Sequence, residues 1–222
     1  MNPTIIQATN ICKSFRKREV LKNVNFTASK GEIIAICGKN GSGKTVFIRV
    51  LCGLMKADHG RVNIFGQEIG KDIEFPNNTG IHFENSGLLL SETAFENLYL
   101  LTLINGKASK DRIREIIALV GLNPDDRRPV SAFSTGMRQR LGIAQALLDD
   151  PDLILLDEPV NGLDFAGQAD FRQLLQALRD AGKTIIFTSH NKEEIQDLAD
   201  RALEMVGGKL ETYLNSPTIQ TE

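Results

Sequence analysis

Residues 33–45 read IIAICGKNGSGKT, an apolar run followed by a glycine-rich loop. A continuous apolar run of this length is typical of a strand that is buried on both faces of a parallel sheet. The loop fits the pattern G-x-x-x-x-G-K-[ST] at Gly38, Gly43, Lys44 and Thr45. Apolar residues behind the loop recur at a helical spacing. The stretch therefore predicts a strand, a phosphate-binding loop and a helix, which together indicate an α/β fold.

The loop has the chemistry of a triphosphate site. Its glycines allow consecutive backbone N–H groups to curl around phosphate oxygens without Cβ clashes, and the dipole of the following helix attracts the same anion. Lys44 is expected to reach the β- and γ-phosphates, and Thr45 to offer its hydroxyl to Mg²⁺. The predicted nucleotide-binding residues of the loop are Gly38, Lys39, Asn40, Gly41, Ser42, Gly43, Lys44, Thr45 and Val46.

A second buried strand, residues 153–156, ends in the acidic pair Asp157 and Glu158. Ligands bind at the carboxyl edge of an open parallel sheet, so we expect Asp157 to hold Mg²⁺. Glu158 is then placed to take a proton from the water that attacks the γ-phosphate. By itself an Asp-Glu-Pro sequence is more typical of a solvated strand end. The phosphate loop favours the catalytic interpretation.

Elsewhere strands alternate with helices, without an internal repeat or a linker. Strands are predicted at residues 5–6, 24–27, 61–65, 80–83 and 184–189, and as a pair around the turn at residues 207–208. Helices are predicted from the loop to near residue 60, up to Gly121, at about 166–181 and from about Lys192. We expect one domain, residues 1–222. It would have a P-loop NTPase core, a small antiparallel β subdomain on its N-terminal side and a helical subdomain at about 85–150.

Composition limits the class of protein. The chain has 222 residues, of which 41% are hydrophobic and 24% charged, so it is globular. Its net charge of -2 gives no reason to expect a nucleic-acid partner. The apolar runs are far shorter than the roughly 20 residues of a membrane span, and no secretory signal is visible at the N-terminus. Three cysteines without a CxxC pair predict reduced thiols in a cytoplasmic protein.

The order of these motifs resembles that of the ATP-binding cassette (ABC) ATPases over nearly the whole chain. Residues 133–141, FSTGMRQRL, lie between the loop and the acidic strand and are similar to the family's signature segment. The resemblance implies that Ser134 and Gly136, where a helix begins, contact the γ-phosphate of ATP held by a second subunit. It also implies ATP and Mg²⁺ as cofactors and two copies of the chain that sandwich two ATP molecules.

Three further positions carry the resemblance. Residues 161–164, NGLD, are similar to the family's D-loop, which implies that Asp164 lies at the dimer interface. His190 matches the switch histidine, which implies that it touches the γ-phosphate and orients the attacking water. Phe15 matches the aromatic residue that stacks on adenine, although a phenylalanine on an edge strand is nearly as typical of simple packing.

The sequence departs from the family pattern at three places. Residues 135–137, TGM, replace the usual Gly-Gly-Gln and resemble a variant found in many drug, antibiotic and polysaccharide exporters. Val46 replaces a hydroxyl residue, so one α-phosphate contact is expected to be lost. Glu84 stands in place of the Q-loop glutamine. Its carboxylate is a suitable Mg²⁺ ligand, but it adds negative charge beside Asp157.

The resemblance implies a Mg²⁺-dependent ATPase that drives a separate transmembrane permease, as a peripheral subunit on the cytoplasmic face of the cell membrane. Three alternatives stay open. One is an ABC ATPase that acts as a switch without transport. Another is a binding module that holds ATP without hydrolysis, which Glu84 favours and Glu158 with His190 opposes. A small-molecule kinase with the same loop would not need the segment at Ser134.

Overall fold

The computed structural model of the chain describes residues 2–84, 87–105, 108–191 and 198–213. The strands are β1 (Thr4–Phe15), β2 (Arg18–Ser29), β3 (Ile33–Cys37), β4 (His59–Ile64), β5 (Gln67–Glu68), β6 (Thr79–His82), β7 (Leu153–Leu156), β8 (Thr184–Ser189), β9 (Arg201–Val206) and β10 (Lys209–Thr212). The helices are α1 (Lys44–Leu51), α2 (Ala94–Asn105), α3 (Lys110–Leu119), α4 (Thr135–Leu147) and α5 (Phe165–Asp180), with a 3₁₀ turn at Val130–Ala132.

A six-stranded sheet in the order β10-β9-β3-β8-β7-β6 forms the centre of the fold. The strands from β9 to β6 are parallel, and β10 pairs antiparallel with β9. Every residue of β3, β7 and β8 is buried. The unbroken apolar sequences of β3 and β7 predict this, whereas β8 also buries the hydroxyl residues Thr184, Thr188 and Ser189. Because β3, β8 and β7 are neighbours, the loops that follow them meet at one edge of the sheet.

A smaller antiparallel sheet, in the order β2-β1-β4-β5, lies on the N-terminal side, as predicted. Its buried side chains share a core with α1, where the rings of Phe26 and Phe47 meet edge to face at 5.5 Å. This packing holds the helix that follows the glycine-rich loop.

Along the chain, helices α2, α3 and α4 lie between β6 and β7. Ser109 accepts a hydrogen bond from the Arg112 N–H and so caps α3, whose buried face contains Ile113, Ile116 and Ile117. The helix ends before Gly121, which has φ 75°. A helical subdomain at about 85–150 stays a prediction, because these contacts do not define its limits.

The prediction for the helix after the loop was wrong at its C-terminal end. α1 ends at Leu51, whereas the pattern predicted a helix to near Gly60. At Gly53, with φ 79°, the chain turns away, and a Cβ there would collide with the Glu74 carbonyl. This close approach is a tertiary contact, so the local sequence does not reveal it. The predicted helix from about Lys192 lies outside the described residues.

Among the residues described, no helix is both long and apolar enough to cross a membrane.

Candidate active site

The glycine-rich loop joins β3 to α1 in a curled conformation. Gly38, Gly41 and Gly43 have φ values of 151°, 75° and 116°, which side chains disfavour. A Cβ on Gly38 would also lie 2.6 Å from the Met205 carbonyl oxygen. The loop therefore needs glycine at these positions.

Lys44 lies buried inside this loop. Its Nζ donates a 2.6 Å hydrogen bond to the Gly38 carbonyl and lies 3.1 Å from Glu158 Oε1. Nearby, the buried Ser42 Oγ makes no hydrogen bond within the described part of the chain. Buried hydroxyls are nearly always paired, so a polar ligand such as a phosphate fits the loop.

Asp157 sits just after β7, beneath the loop. Its N–H donates to the His82 carbonyl at 2.8 Å, and its Oδ1 accepts from Thr188 Oγ1 at 2.7 Å. Burial raises the pKa of Asp157, although hydrogen bonds from the side chains of Thr188 and Thr45 oppose the shift. A buried carboxylate whose charged form is disfavoured is suited to hold a cation, which would stabilise that form.

Glu158 is fixed from several sides. Its backbone has φ 52°, its N–H donates to Thr188 Oγ1 at 2.9 Å, and its carbonyl accepts from Gln139 Nε2 at 2.9 Å. Its Oε2 accepts from the His190 N–H at 3.1 Å and lies 3.0 Å from His190 Nδ1. The carboxylate is therefore held between the Lys44 ammonium and the His190 ring.

An open cavity of about 490 Å³ connects these groups. The predicted site residues that line it are Phe15, Asn40, Gly41, Gly43, Lys44, Thr45, Val46, Glu84, Glu158 and His190. Gly38, Lys39 and Ser42 belong to the same loop, and Asp157 lies next to Glu158. The cavity is therefore large enough, and suitably lined, for a nucleotide.

The oxygen donors at this cavity fit Mg²⁺. The structure places the Asp157 carboxylate, the Thr45 hydroxyl and Glu84 at or beneath the same cavity. Within the described ranges, no group of three or more His, Cys, Asp and Glu side chains forms a ready-made metal site. Mg²⁺ typically takes one or two carboxylates and completes its shell with phosphates and water, so Asp157, Thr45 and Glu84 are of the right kind for it.

Ser134, Gly136 and Asp164 lie apart from the loop. Ser134 caps α4 by accepting from the Met137 N–H at 3.2 Å, and Asp164 caps α5 by accepting from the Gly167 N–H at 2.8 Å. All three line a second cavity, of about 530 Å³, that does not include the loop. The structure therefore brings them together with one another but not with Lys44.

Sequence reasoning missed three residues around the acidic pair. Thr188 bridges Asp157 and Glu158, and its only signal is a hydroxyl in an apolar strand. Gln139 reaches the Glu158 carbonyl from α4, and no sequence pattern indicates this. Burial lowers the pKa of His82 to about 4, with the Gln139 side chain opposing the shift, so His82 is neutral at pH 7.

Comparison with known proteins identifies the family. The profile of the ABC transporter family matches residues 21–161. The chain is 45% identical to the uncharacterised ABC transporter ATP-binding protein YybJ of Bacillus subtilis (strain 168), over 94% of this chain and 95% of that protein. It is 39% identical to the bacitracin transport ATP-binding protein BcrA of Bacillus licheniformis, over 93% of this chain and 68% of that protein. The chain belongs to the ABC transporter family.

Solved structures show the same fold. The dimeric structure of MJ0796, a bacterial ABC transporter cassette, superposes with a TM-score of 0.84 at 25% identity, over 93% of this chain and 97% of that one. The predicted fold, a P-loop NTPase core with antiparallel and helical additions, is confirmed. Within its family the chain is the ATP-binding subunit of a transporter, and the family is one of ATP-hydrolysing proteins.

Proposed function

We propose that the chain hydrolyses ATP with Mg²⁺ as one half of a homodimer, and that this cycle drives a separate membrane-spanning exporter subunit. The observation that carries the proposal is the position of the Glu158 carboxylate. It lies 3.1 Å from the Lys44 ammonium and 3.0 Å from His190 Nδ1, at the cavity formed by the phosphate loop. A base in this position can accept a proton from a water molecule that attacks a bound γ-phosphate.

Binding of the nucleotide frees this base. Lys44 Nζ now bonds the Gly38 carbonyl and pairs with Glu158 Oε1. A phosphate in the loop competes for the same ammonium, because a triphosphate carries more negative charge than the single Glu158 carboxylate. Glu158 Oε1 can then accept the proton of the attacking water, while His190 holds Oε2.

The metal site follows from the same arrangement. The Asp157 carboxylate, the Thr45 hydroxyl and Glu84 would hold Mg²⁺, which supplies charge neutralisation at the β- and γ-phosphates. Phe15, 45% exposed at the cavity wall, would stack on the adenine.

The dimer explains the second cavity. Ser134 and Gly136 begin α4, and a helix N-terminus binds phosphate through its N–H groups and dipole. Because they lie apart from this chain's own loop, they would serve the ATP of a second copy, with Asp164 at the junction. The cassette MJ0796, which has the same fold, is dimeric, and this supports the pairing of two copies.

The membrane partner is proposed from exposed apolar side chains at and before α2. These are Leu89, Leu90, Leu100, Leu103 and Ile104. A short helix of the permease would dock against these exposed side chains, and the chain would be peripheral on the cytoplasmic face of the membrane. The signature variant at residues 135–137 and the likeness to BcrA favour export.

We expect Ile104→Glu to release the chain from membranes that contain its permease. Ile104 is 82% exposed, so the charge should leave the fold and the ATPase rate of the purified chain unchanged. The measurement is recovery of the chain in the membrane fraction after co-expression. Phe75→Glu, at an exposed residue outside α2, is the control and should stay bound. Equal recovery of both variants would contradict the proposal that α2 carries the docking face. Absence of the unmodified chain from the membrane fraction would contradict the proposal of a membrane partner.

We expect Glu84→Gln to keep ATP binding, to raise basal hydrolysis at saturating Mg²⁺, and to need more Mg²⁺ for half-maximal rate. The amide removes a charge that repels the γ-phosphate, by on the order of 4 kcal/mol at about 4 Å and an effective dielectric near 20. It also removes a charged metal ligand. A Mg²⁺ titration of the ATPase rate measures both effects. Glu115→Gln, on the exposed face of α3, is the control. Superimposable curves for Glu84→Gln and the unmodified chain would place Glu84 outside the metal shell.

A further inference from the structure

A buried amide links α4 to Glu158, the proposed general base. Gln139 lies on α4, and its side chain is only 6% exposed. Its Nε2 donates to the Glu158 carbonyl oxygen at 2.9 Å. Burying an amide is costly unless it is hydrogen-bonded, so this contact determines how the side chain is oriented.

The carbonyl that Gln139 holds belongs to a residue with an unusual backbone. Glu158 has φ 52°, in the left-handed region that a glutamate rarely adopts. Such a conformation persists only when its surroundings hold it in place. The Glu158 N–H is fixed by Thr188 Oγ1 at 2.9 Å, and the carbonyl is fixed by Gln139 Nε2 and, at 3.2 Å, by the Asn161 N–H. The direction of the carboxylate therefore depends on a donor that α4 supplies.

The N-terminal end of α4 faces the second cavity. Ser134 caps the helix, and Gly136 follows in its first turn. Thr135 and Gly136 also approach Gly162 so closely that a Cβ on Gly162 would lie 2.8 Å from Thr135 Cγ2. About one and a half helical turns separate Ser134 from Gln139, so both residues lie in the N-terminal half of α4.

We propose that Gln139 is a positioning residue that couples the two ATP sites of the dimer. When the nucleotide of the partner copy binds Ser134 and Gly136, it shifts or rigidifies α4. Gln139 transmits this change in α4 to the backbone of Glu158 and so to the position of the Glu158 carboxylate. The inference rests on the proposed function. It adds a route by which one site controls the base of the other.

The test is Gln139→Met, which keeps the length of the side chain and removes the donor. Gln145→Met, on the same helix, is the matched control, because the Gln145 side chain does not bond Glu158 in the described residues. Three quantities are measured for each purified chain: the ATP dissociation constant, the ATPase rate against ATP concentration, and the melting temperature. We expect Gln139→Met to lower kcat by about tenfold, the loss typical of one hydrogen bond to a functional group. Its Hill coefficient should fall below that of the unmodified chain, with ATP affinity and melting temperature like those of the control.

Two results would overturn the inference. One is a kcat and Hill coefficient equal to those of Gln145→Met. The other is a loss of kcat that is matched by losses of ATP affinity and melting temperature, which would make Gln139 a merely structural residue. Failure of the proposed function is distinguishable, because the unmodified chain itself would then show no ATP hydrolysis.

Discussion

Glu158→Gln is expected to lower ATP turnover by about 10²- to 10⁴-fold, the range typical of a lost general base. The amide keeps the shape of the side chain and can still contact Lys44 and His190, but it cannot take a proton from water. ATP binding should be unchanged, since the phosphate loop is not altered. Phosphate release under saturating Mg²⁺ and ATP gives the rate, and equilibrium binding of labelled ATP gives the affinity.

The control for this change is Glu115→Gln, at an exposed carboxylate on α3, which should hydrolyse ATP like the unmodified chain. Because the chemical step is blocked while ATP stays bound, we also expect Glu158→Gln to accumulate as an ATP-bound dimer. Turnover at the rate of the unmodified chain would show that Glu158 is not the base.

Lys44→Ala is expected to weaken ATP binding by roughly 10- to 100-fold, the effect of removing hydrogen bonds from a charged donor, and to abolish hydrolysis. The buried ammonium lies inside the loop, 2.6 Å from the Gly38 carbonyl, so a triphosphate there would lose its main cationic contact. Equilibrium binding of labelled ATP is the measurement.

Lys71→Ala is the matched control for Lys44→Ala, since Lys71 forms only an exposed surface pair with Glu68. The melting curve of the ATP-free Lys44→Ala chain shows whether it folds, because the substitution also removes a partner of Glu158. A folded Lys44→Ala chain with unaltered ATP affinity would mean that residues 38–45 are not the phosphate site.

The sequence was sufficient for the parts of the fold that depend on local pattern. Unbroken apolar runs predicted β3 and β7, because a strand covered on both faces is mostly apolar. The glycine-rich loop between β3 and α1 was predicted from its spacing alone, since its backbone requires glycine at fixed positions. The end of α1 was placed near Gly60, although Gly53, with φ 79° just after the C-cap Cys52, is a local stop signal.

The supporting contacts of the site could not be predicted. Thr188 and Gln139 are distant from Glu158 in sequence, and only the folded chain brings their polar groups to its backbone. The left-handed conformation of Glu158 is likewise a consequence of those contacts, since glutamate has no local preference for it. The residues that do the chemistry thus belong to recognisable motifs, whereas those that hold them in position come from tertiary structure.

The central claim is that two copies of the chain close on ATP and that Glu158 then acts as the base. Its most direct test is the solution mass of Glu158→Gln, measured by light scattering during gel filtration with and without ATP. The account predicts the mass of one chain without nucleotide and of two chains at saturating ATP. A mass of one chain at ATP concentrations that fill the site would contradict it.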